Sequence, residues 1–272
     1  MRVLLAACAL LAGCAGPQAE RVARKHPTIV SLNPCSDAIL AEVADAAQIL
    51  AVSHYSHDPR ATSMDLAAAR KFRATGGTLE EVLALDPDVI VGSTFMPPAT
   101  RVAMDRLGLR VETIGIATTV DQSEAQVRRL AAIAGHPERG EALVARIEQA
   151  LAEAQSDGPR VNAILWQPDG IVPGEGELVS ELMSRAGFAN LTAARGFRQA
   201  DYLSLERLLA DPPRVLLVAG SERGQLHPVM RRLRQVHRAR FDPALLYCGG
   251  PTIIRAAKRL TQVRRDLGDG SP

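Results

Sequence analysis

Two stretches of this chain, 126 positions apart, follow one pattern: Thr78-Leu-Glu-Glu-Val-Leu-Ala-Leu-Asp-Pro-Asp-Val-Ile-Val91 and Ser204-Leu-Glu-Arg-Leu-Leu-Ala-Asp-Pro-Pro-Arg-Val-Leu-Leu217. Each reads as a hydroxyl helix cap, a short amphipathic helix, a proline stop and a buried strand, with Glu80 and Glu206 in register. A unit repeated at that distance predicts two lobes of one architecture. The surrounding sequence agrees. Thr28 to Leu32 is a β-branched run ending at Asn33-Pro34, with helical spacing from Ser36 to Ala47. Ile49 to Ser53 is a second strand, Val89 to Val91 a buried one, and Arg101 to Leu107 a helix stopped by Gly108 before the strand Val111 to Ile114. This alternation defines a first α/β lobe over residues 27–118.

From Val120 to Gln155 apolar residues recur only at helical spacing, interrupted at Gly135-His136-Pro137, and residues 119–158 are read as one long connecting helix. Val161 to Trp166, a Gly/Pro-rich loop and the helix Leu178 to Ala186 restart the pattern, so a second α/β lobe occupies 159–272. The fold class is α/β, with a cleft between lobes as the default ligand site. A basic run, Arg231 to Arg234 and Arg238 to Arg240, reads as a solvated helix face.

The amino terminus is an address. Met1-Arg2 precedes an apolar run, Val3 to Ala12, far shorter than the roughly 20 residues that span a bilayer, so residues 1–13 read as a signal peptide. The run ends in Leu11-Ala12-Gly13-Cys14, which is similar to a bacterial lipobox. Cys14 is then the lipidation site and residues 14–26 a lipidated tether. This places the chain in the periplasm, held to a membrane by its lipid. Cys35 and Cys248 remain in an oxidising compartment on opposite halves. They can pair only if their Cα atoms come within about 6 Å.

Several chemistries are excluded. With 32 Lys+Arg against 30 Asp+Glu, the formal charge of +2 is too balanced for nucleic-acid binding. Gly174-Glu-Gly176 lacks the third glycine of a dinucleotide fingerprint, and there is no Walker loop or Gly-x-Ser-x-Gly elbow. No nucleophile–base constellation suggests an enzyme, and no resident cofactor or metal is expected. His54-Tyr-Ser-His57 is the densest polar cluster; it reads as a loop lining a cleft and offering Tyr55 to a ligand. Trp166, the one tryptophan, ends a strand and either faces the cleft or packs in the core.

Ile29 to Pro34, Val52-Ser-His-Tyr-Ser56, Thr75-Gly-Gly-Thr-Leu-Glu80, Leu85-Asp-Pro-Asp-Val-Ile90 and Pro251-Thr-Ile-Ile-Arg255 together resemble the periplasmic substrate-binding proteins of ABC importers for cobalamin, haem and iron-siderophores. The resemblance implies two Rossmann-like lobes joined by a single long helix, the class III arrangement, and a monomer that delivers a small molecule to a permease dimer driven by a cytoplasmic ATPase. It implies that Glu80 and Glu206 meet the permease. It also implies that Pro34, Cys35, Tyr55, Phe95, Trp166, Gln167, Cys248, Gly249, Gly250 and Thr252 line the cleft. Val52 to Ser56 is most similar to the cobalamin-binding members, so the expected cargo is cobalamin, with an iron-siderophore or haem as alternative. A haem reading would use Tyr55 or His57 as axial ligand; a siderophore reading would use Arg60, Lys71 or Arg73. Cobalamin binders pack several tryptophans where this chain has one. With both cysteines on cleft segments, a disulfide, coordination of the cargo metal and buried thiols all stay open.

Overall fold

In the first lobe each strand is followed by a helix-starting signal, and this sets the order of elements. The computed structural model describes residues 25–221 and 225–268. The signal peptide, Cys14 and the tether before Lys25 lie outside the described residues. The first lobe runs β1 (Ile29–Ser31), α1 (Pro34–Val43), β2 (Ile49–Ser53), α2 (Leu66–Ala69), β3 (Ala74–Thr75), α3 (Leu79–Leu85), β4 (Val89–Ser93), α4 (Pro98–Arg106) and β5 (Val111–Ile114). Then come α5 (Val120–Ala134) and α6 (Pro137–Ala154). The second lobe runs β6 (Val161–Trp166), β7 (Ile171–Val172), α7 (Leu178–Arg185), β8 (Phe188–Asn190), α8 (Leu191–Ala194), β9 (Asp201–Tyr202), α9 (Leu205–Ala210), β10 (Val215–Ala219), β11 (His237–Phe241) and α10 (Pro251–Asp266).

The strands form a five-stranded sheet in the order β3-β2-β1-β4-β5 and a four-stranded sheet in the order β11-β10-β6-β8, parallel throughout. β7 and β9 make a small antiparallel pair. Parallel sheets are covered on both faces, so their strands are continuously apolar. Here alternate residues feed different cores. Val30, Ala51 and Ile90 pack with Val82 and Met104 on one face of the first sheet. Ile29, Val89 and Val91 join a larger core that runs without a break through α5, α6 and α10 into the second sheet. The lobes therefore share one hydrophobic interior.

The repeated unit is a structural repeat. Thr78 and Ser204 each accept a hydrogen bond from the amide three residues on, Glu81 and Arg207, both at 3.3 Å. The single buried residues of α3 and α9, Val82 and Leu208, keep the 126-residue spacing, as do β4 and β10. Both strands stand one place in from a sheet edge.

Two expectations are corrected. The connector is two helices. Gly135 adopts the left-handed conformation (φ 82°) that ends α5, and Pro137 opens α6 at its first turn. A Cβ on Gly135 would stand 2.4 Å from the His26 ring. The arginine-rich stretch is no helix face either: Pro228–Arg232 is a 3-10 turn, and His237–Phe241 is an edge strand with Ala239 and Phe241 buried and Arg238 and Arg240 exposed. Its alternation has period two, which a strand satisfies and a helix does not.

Candidate functional site

Because every strand of each sheet points the same way, the carboxyl ends collect along one edge, where open α/β sheets bind ligands. Contacts between lobes bring the two edges together. Cys35, in the first turn of α1, forms a disulfide with Cys248, which follows β11; their Cα atoms are 5.1 Å apart. The backbone N–H of Gly250 donates to Ser123 Oγ at 2.7 Å, and Arg255 on α10 donates to the Ser63 carbonyl. Of the three fates open to the cysteines, the structure has the disulfide, which leaves neither thiol to coordinate a metal.

Large apolar side chains stand exposed at these carboxyl ends. Tyr55, just after β2, is 50% exposed, Phe95 after β4 is 72%, Ile116 after β5 is 65% and Tyr247 after β11 is 55%. All four follow the carboxyl ends of strands, the edge at which open α/β sheets bind ligands.

The mount for Tyr55 is built from a buried acid. Residues His54–His57 form a 3-10 turn capped by Ser53, and Asp37 on α1 lies beneath it. Asp37 Oδ2 accepts from the Ser53 amide at 2.9 Å and the Ser56 hydroxyl at 2.6 Å, bracketing Tyr55 on both sides. Burial pushes the Asp37 carboxyl up to about 7, against the opposing pull of the serine hydrogen bonds. His54 lies beside Tyr55 with ring centroids 4.1 Å apart. His57 Nε2 is 3.1 Å from the Ala69 carbonyl, so this ring is held against α2. Among the described residues no three His, Cys, Asp or Glu side chains are placed to hold a metal ion.

The sequence-derived residues divide into groups. Tyr55 and Phe95 are exposed just beyond β2 and β4, and Pro34, Cys35 and Gln167 are half-buried at strand exits. Trp166, open between core and cleft, is in the core: 3% exposed, packed with Ile164, Val172 and Leu203, its indole N–H donating to the Leu203 carbonyl at 3.3 Å. One side of it borders a cavity of about 300 Å³ shared with Asp169, Tyr202 and Gln225. Cys248, Gly249, Gly250 and Thr252, expected to line the cleft, are buried. They form the seam where the start of α10 meets α1 and α5. Gly250 takes φ 59°, and a Cβ there would stand 2.6 Å from Ile39 Cγ1. Glu80 and Glu206 are exposed in the first turns of α3 and α9, and the Glu206 carboxyl is held below its usual value by its own backbone amide and Ser204. Arg60, Lys71 and Arg73 are exposed, Arg60 beside Asp58 at 3.5 Å. Sequence reasoning missed Asp37, Ile116 and Tyr247. Asp37 looks like an ordinary first-turn acid, and its one signal is that it precedes Ala-Ile-Leu on the apolar side of α1.

The sequence profile described as Periplasmic binding protein matches residues 29–233. A vitamin B12-binding protein of Photorhabdus laumondii subsp. laumondii is 25% identical over 256 residues, covering 88% of each chain. Among solved structures, a periplasmic heme-binding protein from Roseiflexus sp. RS-1 superposes with a TM-score of 0.69 at 23% identity, over 88% of this chain and 98% of that one. A periplasmic vitamin B12 binding protein of Vibrio cholerae gives 0.69 at 18% identity, over 90% and 99%. These likenesses agree with the paired parallel sheets, and the profile spans most of the described residues: the chain belongs to the periplasmic binding protein family.

Proposed function

We propose that this protein captures a metal chelate, cobalamin first, in the crevice between its lobes and hands it unchanged to an ABC importer. The observation that carries the reading is the set of exposed rings at the carboxyl ends of the strands: Tyr55 and Phe95 from the first lobe, Tyr247 from the second. Rings presented from both sides suit a broad, flat ligand. The similarity to a vitamin B12-binding protein supports cobalamin. Haem is the second reading, favoured by the exposed Tyr55 and by the heme-binding protein among similar structures; His57, held against Ala69, is the poorer axial ligand. Family membership supports a periplasmic location and a solute-binding rather than catalytic role. Within this reading Cys14 carries a lipid, the protein is monomeric, and Glu80 and Glu206 contact the permease dimer.

The test is calorimetric titration with cyanocobalamin, hemin and a ferric siderophore in parallel. The expected result is saturable one-to-one binding of cyanocobalamin, weakened at least tenfold by Tyr55→Ala, since losing one stacked ring costs about 1.5–3 kcal/mol. A response to hemin or siderophore alone would move the cargo assignment, and no response to any of the three would overturn the chelate reading.

A further inference from the structure

A second concave surface lies at the amino ends of the second sheet, away from the crevice. It is a groove of about 820 Å³ bounded by the end of α6, the 155–160 loop, the start of β6 and the last turn of α10. Four arginines line it: Arg160 before β6, Arg214 before β10, and Arg264 and Arg265 from α10. We propose that this groove binds an oxyanion of the phosphate class.

Placing four cations around one groove costs mutual repulsion, and the formal charge of the chain is only +2, so the concentration is local. A helix carboxyl end favours basic residues in its last turn, which accounts for Arg264 and Arg265. It does not account for Arg160 and Arg214, which arrive from two separate loops. Among the described residues none of the four forms an ion pair. Among the described residues the one carboxylate lining the groove, Glu153, accepts from Gln149 Nε2 at 2.9 Å.

Arg264 is fixed in place. Its Nη2 donates to the Pro159 carbonyl at 2.9 Å, while its Nε is buried without an acceptor. Guanidinium groups match phosphate oxygens two at a time, and a dianion would offset the mutual repulsion of the four cations. Ser156, Asn162 and Thr261 add neutral polar groups on the same walls. A phosphate ester of a lipid headgroup and a free phosphate present the same chemistry.

The experiment compares the full chain with its R160A/R214A variant in two arms. One is titration with inorganic pyrophosphate; the other is co-sedimentation with phosphatidylglycerol vesicles against phosphatidylcholine vesicles, which controls for any lipid anchor. The proposal expects binding in at least one arm, weakened tenfold or more in the variant and falling with added salt. Pyrophosphate binding identifies a free oxyanion, and preference for phosphatidylglycerol without pyrophosphate binding identifies a headgroup. No binding in either arm, or a variant that binds like the parent, overturns it. Both residues are exposed, and equal thermal midpoints verify folding; if the midpoint drops, R265A replaces the pair under the same criteria.

Discussion

The disulfide offers the largest calculable perturbation. Cys35 and Cys248 are 213 residues apart. Cross-linking at that separation removes about 18 cal/mol/K from the unfolded chain by the loop-closure relation, or about 5 kcal/mol at 25 °C. The C35A/C248A variant removes the constraint and little else, because both side chains are small and the surrounding seam is held by Ser123, Gly250 and Arg255. The expected loss is about 3–5 kcal/mol, since relations of this kind overestimate when the reduced chain keeps structure. With a urea slope near 3 kcal/mol/M, the midpoint should fall by about 1–1.7 M. Urea unfolding followed by circular dichroism, on oxidised parent, reduced parent and variant, reads it directly. The common core predicts one transition for the whole molecule in each case. A variant within about 1 kcal/mol of the oxidised parent would refute the loop-closure argument. Alkylation of Cys35 and Cys248 in the unreduced, unfolded parent, located by peptide mass mapping, would refute the bond itself.

The buried acid predicts a pH effect. A folded-state value of about 7 against an unfolded 3.8 means that folding takes up a proton between them. This stabilisation is complete below pH 3.8, declines as pH rises and is gone above 7, at most about 4 kcal/mol. Asp37→Asn should flatten that slope in urea titrations at pH 5 and 8; an unchanged slope would remove Asp37 as its source. Gly250→Ala should cost about 2 kcal/mol or more, from its positive φ and the clash with Ile39, and a midpoint equal to the parent's would contradict the packing described. Reversing both carboxylates, Glu80→Lys with Glu206→Lys, should abolish uptake in a transport assay while leaving cargo affinity within twofold. A matching loss of affinity would sink the docking role.

Most of the frame was legible because it rests on local chemistry. The strands Ile49–Ser53 and Val111–Ile114 and the helix Leu79–Leu85 follow from β-branched runs, a threonine cap and a proline stop. Tyr55 was legible as a strand-end aromatic in a polar turn. What stayed hidden depends on distant partners. Trp166 is core because Leu203, 37 residues on, accepts its N–H. Gly249 and Gly250 are seam because Ser123 and Ile39 come to meet them. Asp37 matters because the turn it supports begins 16 positions later. No period or cap in the sequence encodes such meetings.

The place of α10 carries a consequence for how the molecule is made. Ile253, Ala256, Ala257, Leu260 and Val263 fill the same interior as Ile29, Ile39 and Leu40, so residues among the first to reach the periplasm wait for residues near the far end. A chain threaded outward amino terminus first can form β1, α1 and β2 early but cannot close their apolar side until α10 emerges. Contacts of such long sequence separation form slowly and leave apolar surface uncovered meanwhile. The Cys35–Cys248 disulfide, formed when a thiol oxidant of the compartment takes up the two electrons and two protons, is then a mark of completion, because it requires the chain to have emerged as far as the residue just before α10. Deleting that helix should yield a sticky, protease-sensitive chain during export rather than a smaller folded one.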